Sequence, residues 1–147
     1  MTQIRKAIKS DMRAVHALVY ALAVYEKAPE AVVTTVAEYE TDFENKVFDA
    51  LIAENEAGEV VGIMFYYLAY STWKGKMLYL EDFVVSETVR GQGIGHLLWA
   101  ALLVEARLMG AKLLKWQVLD WNAPAIRFYE TVGAEIETEW LNGKLFL

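Results

Sequence analysis

Residues Glu81–Gly95 constrain the fold of this chain most. An apolar, β-prone run, Met77–Val85, ends at Arg90-Gly91-Gln92-Gly93-Ile94-Gly95. A helical pattern then starts at once, with Ile94, Leu97, Leu98, Ala101, Leu102 and Glu105 on one side. Strand, glycine turn and helix start make an anion cradle. Glycines let backbone N–H groups approach a phosphate, and the helix N-terminus adds partial positive charge. The spacing Arg90-x-x-Gly93-x-Gly95 is neither the dinucleotide fingerprint nor the P-loop.

The flanks predict the rest of the architecture. Gln3–Ile8 reads as a first strand, followed by a helix to about Tyr25 that Ser10 or Asp11 can cap. Thr35-x-x-Glu38 is a capping box for a short helix to about Asn45. Ala50–Asn55 and Val60–Tyr70 form a hairpin around E-A-G-E, and Met77–Val85 extends it into a meander. Gly110 suits the left-handed end of the Gly93–Met109 helix. Lys112–Leu119 is a strand, and Asn122 caps a helix to about Val132 with Pro124 in its first turn. Ala134–Glu137 and Leu141–Leu147 are expected to form a final hairpin around Asn142-Gly143. The order is β-α-α-β-β-β-α-β-α-β-β. It predicts an α/β fold with a mixed, mostly antiparallel sheet flanked by helices.

Composition narrows the function classes. A chain of 147 residues is expected to be one domain. It has no cysteine and two histidines, so neither a thiolate site nor a multi-histidine metal site is expected. The N-terminus lacks an apolar signal core and no window spans a bilayer, so a soluble cytoplasmic protein without a membrane partner is expected. A net charge of −6 argues against nucleic acid and suits a cationic ligand.

The glycine turn resembles the R/Q-x-x-G-x-G/A pyrophosphate loop of the Gcn5-related N-acetyltransferase family. L-Y-L-E-D-F before it, and W-N-A-P-A-I-R-F-Y-E-T-V-G-A at Trp121–Ala134, are similar to the spermidine/spermine and thialysine N-acetyltransferase branch. The resemblance runs from about Ile4 to about Trp140. It implies one acetyltransferase domain over residues 1–147 that uses acetyl-coenzyme A, needs no metal and pairs as a homodimer. In that family the fourth and fifth strands splay to admit the cofactor, here Met77–Val85 and Lys112–Leu119.

The same resemblance implies roles for individual residues. The amides of Gly91, Gln92, Gly93, Ile94, Gly95 and His96 would hold the pyrophosphate. Arg90 would add a charged contact or brace the turn. The backbone of Phe83, Val84 and Val85 would bond the pantetheine arm as an added strand does, one N–H polarising the thioester carbonyl. Asn122 would touch the same arm, and Tyr129 would protonate the leaving thiolate. Glu81 would act as general base through water, because an ammonium group must lose a proton before it attacks. Asp82, Tyr25, Glu26 and Trp73 would line the amine pocket, where carboxylates beside aromatic rings suit an alkylammonium ion. As neighbours on a strand, Glu81 and Asp82 are expected on opposite faces and not as a facing pair.

Two positions depart from the branch. Ser71 stands where polyamine-acetylating animal members carry an acidic residue, and Thr131-Val132 replaces their basic pair. The first weakens the spermidine assignment, and the second removes a contact to the coenzyme A phosphate. The S-T-W and V-L-D-W-N-A-P segments resemble bacterial members of unassigned or thialysine-like preference, so a polyamine and a lysine analogue such as thialysine both stay open as acceptors. The expected activity is acetyl transfer to a primary amine of a small cationic acceptor by direct attack. The alternatives are a protein lysine or N-terminal acetyltransferase of the same fold, favoured by a wide groove, and a non-catalytic acyl-coenzyme A binding module, opposed by an intact Tyr129 and Glu81.

Overall fold

The computed structural model describes residues 1–147. They form two compact units, residues 1–116 and 117–147. In the first unit the alternating apolar runs become a five-stranded sheet in the order β1 (Gln3–Lys6), β2 (Asp49–Glu54), β3 (Val60–Ser71), β4 (Gly75–Val85), β5 (Leu113–Trp116). The first four strands pair antiparallel, and β5 joins β4 in parallel. The mixed, mostly antiparallel sheet expected from the sequence is therefore present.

Strand alternation sorts the core into two layers. Ile52, Ile63 and Val84 face α1 (Met12–Tyr25) and α2 (Val36–Glu44), together with buried Met12, Val15 and Phe48. Gly62, Met64 and Tyr66 face α3 (Ile94–Leu108), whose buried side consists of Ile94, Leu98, Trp99, Leu102 and Ala106. Gly62 sets the depth of that contact. A Cβ there would stand 3.1 Å from the Leu98 side chain and 3.3 Å from the Val84 carbonyl oxygen. A side chain there would force Leu98 and the Val84 carbonyl to give by a few tenths of an ångström.

Helix starts follow the expected chemistry at α2 and depart from it at α1. The Thr35 hydroxyl accepts from the Glu38 amide at 3.1 Å, a side-chain cap. Asp11 occupies the cap position of α1 but caps nothing in the helix. Its carboxylate accepts two hydrogen bonds from the Arg5 guanidinium, at 2.8 and 2.9 Å, and one from the Ile8 amide at 2.8 Å. Arg5 also donates to Glu54 at 2.6 Å, so this cation ties β1 to β2 and to the start of α1. The paired guanidinium outweighs the cost of burial and holds the Asp11 carboxyl below its ordinary range.

The second unit contains α4 (Ala123–Thr131) and no strand. The expected hairpin of Ala134–Glu137 with Leu141–Leu147 is absent. Gly143 does not take the positive φ that a tight two-residue turn requires. Leu141, Leu145, Phe146 and Leu147 are exposed, and a lone two-stranded hairpin has too little to bury. The fifth strand is also shorter than expected, four residues ending at Trp116. No helix is long and apolar enough to cross a membrane.

Candidate active site

The glycine turn forms as a phosphate-binding turn would. A short 3-10 turn, Glu87–Val89, leads through extended Arg90 to Gly91 and Gly93, which hold left-handed φ values of 78° and 79°. A Cβ at either glycine would meet nothing within 4 Å. Glycine is required there by backbone conformation, and the space over the turn is open. The Leu97 amide is the first to bond back, to the Gly93 carbonyl at 3.2 Å. The amides of Ile94 and Gly95 therefore lie in the helix turn that lacks intrahelical acceptors. These donors, at the start of a fifteen-residue helix, suit a diphosphate.

Arg90 does not reach out over that space. Its Nε donates to the Val85 carbonyl at 3.3 Å, and its guanidinium carbon sits 6.0 Å from the centre of the Tyr25 ring. Of the two roles considered for it, bracing the turn is the one formed here. Gln92 and His96 are exposed on the rim.

The end of β4 has the shape expected for an added extended chain. Phe83, Val84 and Val85 pair with Met64, Ile63 and Gly62 of β3. On the opposite side, the pairing with β5 stops at Leu80–Trp116. No strand of the sheet pairs with Glu81–Val85 on that side.

Between these two stretches lies a β-bulge. Asp82 pairs with Phe65, but the next pair is Leu80 with Tyr66, so Glu81 is an extra residue. The bulge overturns the expectation that Glu81 and Asp82 face apart. Phe65 and Tyr67 share one face of β3, and their partners Asp82 and Tyr79 share it on β4 although three positions apart. The Glu81 charge acts on Asp82. Asp82 is pushed up to about 7, by burial first and then by the charges of Glu81 and Glu26. Burial raises Glu81 and Glu26 as well.

Glu26 is placed by the end of α1. Lys27 adopts a left-handed φ of 64°, and the Ala28 amide returns to the Ala23 carbonyl at 2.9 Å. This terminating turn leaves Tyr25 and Glu26 half-buried beside the sheet.

Aromatic rings surround the carboxylates. Tyr67 and Tyr79 stack across β3 and β4, with ring centres 5.4 Å apart and planes 23° apart. Burial and then the Glu81 charge push the Tyr67 hydroxyl up to about 12, and the same two causes raise Tyr79. Tyr39 of α2 packs edge-on to His16 at 4.9 Å and against Phe65 at 5.8 Å. Its hydroxyl is raised by burial, offset by a hydrogen bond with Thr34, and raised further by Asp82 and Glu81.

Trp73 is not brought to this cluster. It lies in the β3–β4 turn and is 85% exposed. Six positions of strand separate Gly75, at the end of that turn, from Glu81, roughly 20 Å at 3.3 Å per residue. Ser71, the other distinctive residue there, accepts from the Trp73 and Lys74 amides at 3.3 and 3.1 Å and shapes the turn.

In the second unit, the Asn122 side chain accepts from the Ala125 amide at 3.3 Å, the cap expected of it. Pro124 sits in the first turn of α4. Tyr129 is buried, with its ring edge-on to Phe128 at 5.9 Å, and its carbonyl accepts from the Ala134 amide at 3.0 Å as the helix ends at Gly133.

The pattern of the acetyltransferase (GNAT) family matches residues 12–134, which include the turn, the bulge and Tyr129. The chain belongs to the GNAT acetyltransferase family. A thialysine N-epsilon-acetyltransferase of Caenorhabditis elegans is 40% identical over 118 residues, 78% of this chain and 71% of the relative. A thialysine N-epsilon-acetyltransferase of Mus musculus is 35% identical over 153 residues, 96% of this chain and 90% of the relative. Among solved structures, an aminoglycoside acetyltransferase from an uncultured soil metagenomic sample superposes with a TM-score of 0.82, covering 99% of this chain and 96% of its own, at 17% identity. That last likeness concerns the fold alone.

Sequence reading of this GNAT acetyltransferase missed Tyr39, Tyr67 and Tyr79 as neighbours of the carboxylates. Part of the signal was present. Tyr79 and Glu81 are two apart on a strand and so share a face. Nothing in the local sequence marks the bulge that adds Asp82 to them, because an extra residue in a ladder is defined by the partner strand.

Proposed function

We propose that this acetyltransferase is a single N-acetyltransferase domain over residues 1–147. It uses acetyl-coenzyme A and acetylates a primary amine of a small cationic acceptor, a lysine analogue such as thialysine or a polyamine, by direct attack in a ternary complex. The observation that carries the reading is the like-charged cluster of Glu26, Glu81 and Asp82 at the β4 bulge. A carboxyl raised by burial and by two neighbouring acids, each itself raised by burial, is a poor arrangement for stability and a good one for receiving an ammonium ion. The relatives' names favour the lysine-analogue acceptor.

Acetyl-coenzyme A supplies an acetyl group activated as a thioester. The amides of Gly91–His96 hold its diphosphate, with Arg90 bracing the turn and Asn122 contributing to the arm. The open edge at Phe83, Val84 and Val85 takes the pantetheine as an extra strand, and one N–H there polarises the carbonyl. Tyr25, Glu26 and Asp82 hold the acceptor. Glu81, through water, takes the ammonium proton, which frees the lone pair that forms the new C–N bond. As the C–S bond breaks, Tyr129 gives its hydroxyl proton to the sulfur, and the second proton that leaves the nitrogen restores the Tyr129 hydroxyl. No metal is assigned. The protein is assigned to the cytoplasm as a homodimer with no nucleic-acid or membrane partner, on its acidic charge and on its branch of the family.

The test is release of coenzyme A from acetyl-coenzyme A by the purified protein with thialysine, lysine, spermidine and a lysine-bearing peptide. Turnover with the free amines and not with the peptide is the expected result. Turnover with the peptide alone would replace this reading with the protein acetyltransferase.

A further inference from the structure

The stacked pair Tyr67–Tyr79 has no role in the reaction described so far. Both are half-buried, and both lie close enough to Glu81 to be raised by its charge. The bulge puts Asp82 on their face. A carboxylate pair alone would hold a hydrated inorganic cation as readily as an amine. An aromatic wall beside it adds a preference for a weakly hydrated ammonium and for the chain that carries it.

We propose, resting on the amine-acceptor reading above, that the Tyr67–Tyr79 pair is the wall that selects the acceptor, lying against the stem of an ω-ammonium substrate while Asp82 holds the charged end and Glu81 stands beside it as the base. Two interactions follow from that placement. A ring face attracts an ammonium by its quadrupole. A polarisable thioether in the stem gains more against an aromatic ring than a methylene does. The second makes the wall a discriminator between thialysine and lysine, which differ by sulfur for one methylene group.

The experiment compares kcat/KM for thialysine and for lysine in the wild type, Tyr79→Leu, Tyr67→Leu and Tyr79→Phe. The difference in amine acidity between the two acceptors is the same for every variant, so it cancels when the ratios are compared. The leucine variants are expected to raise KM for thialysine about tenfold and to lower the thialysine-to-lysine ratio about threefold. KM for acetyl-coenzyme A should stay within about twofold, which shows that the variants are folded and loaded. Tyr79→Phe keeps the ring and is expected to behave as the wild type. An unchanged ratio in both leucine variants, with turnover intact, overturns the wall and leaves the acceptor reading standing. Equal losses in Tyr79→Leu and Tyr79→Phe also overturn it, because they assign the effect to the hydroxyl. A wild type that turns over neither thialysine nor lysine overturns the wall, and one that turns over no small amine, spermidine included, overturns the acceptor reading with it.

Discussion

A buried carboxyl beside two others keeps its proton to higher pH than an isolated one, and Asp82 does so up to about 7. Below that point it is neutral and cannot pair with an ammonium ion. As pH rises through about 7 it ionises, so KM for the acceptor should fall across that interval, and Asp82→Asn should abolish the step in the KM profile. Glu81→Gln separates the base from the holder of charge. The loss should be on the order of 100-fold near neutral pH and shrink as pH approaches the amine's own pKa of about 10.4, where free amine no longer needs a base. A loss equal at every pH would remove Glu81 from that role. At the other proton, Tyr129→Phe should lower kcat by about tenfold or more with KM for acetyl-coenzyme A unchanged. Unaltered kinetics would mean that the sulfur is protonated by another group.

At the scale of elements, the glycine turn depends on backbone conformation. Gly93 takes a φ of 79° with open space around its missing Cβ. A β-branched residue there meets strain and no clash, at a cost of roughly 1–2 kcal/mol. Gly93→Val should therefore leave the protein folded, with a modest fall in melting temperature, and raise KM for acetyl-coenzyme A by at least about tenfold. Full affinity in that variant would dissociate the turn from the diphosphate. This turn was legible in the sequence because glycine spacing, a preceding apolar run and a following helical period are all local. The acids at β4 were legible only singly. Their arrangement depends on which β3 residue stands opposite each one, and that register is settled by packing of the whole sheet. Asp11 illustrates the same limit. A cap residue before a helix is a sound local reading, yet Arg5, six positions earlier, takes the carboxylate for itself. The final hairpin failed for the opposite reason, since local turn chemistry at Asn142-Gly143 had no ladder to join.

Across the whole molecule, two carboxyl groups pull stability in opposite directions. Asp11 is held low by Arg5, so its contribution is present above its unfolded value of about 3.9 and is lost as pH falls through the lower folded value. Asp82 is raised, so the folded state keeps a proton that the unfolded chain releases. Its effect is a loss of stability as pH climbs from about 4 to about 7. A bound diamine offsets that loss, and by mass action it should raise the melting temperature more at pH 8 than at pH 6. Equal shifts at both pH values would mean the cluster does not hold the cation. Because opening of the fold exposes the chain to proteases, limited digestion of the amine-free enzyme should be faster than that of the amine-loaded one at pH 8. With the acceptor held at the acidic bulge, the enzyme's lifetime would depend on that acceptor: copies without amine would be removed first, and the amount of catalyst would follow the supply of what it acetylates.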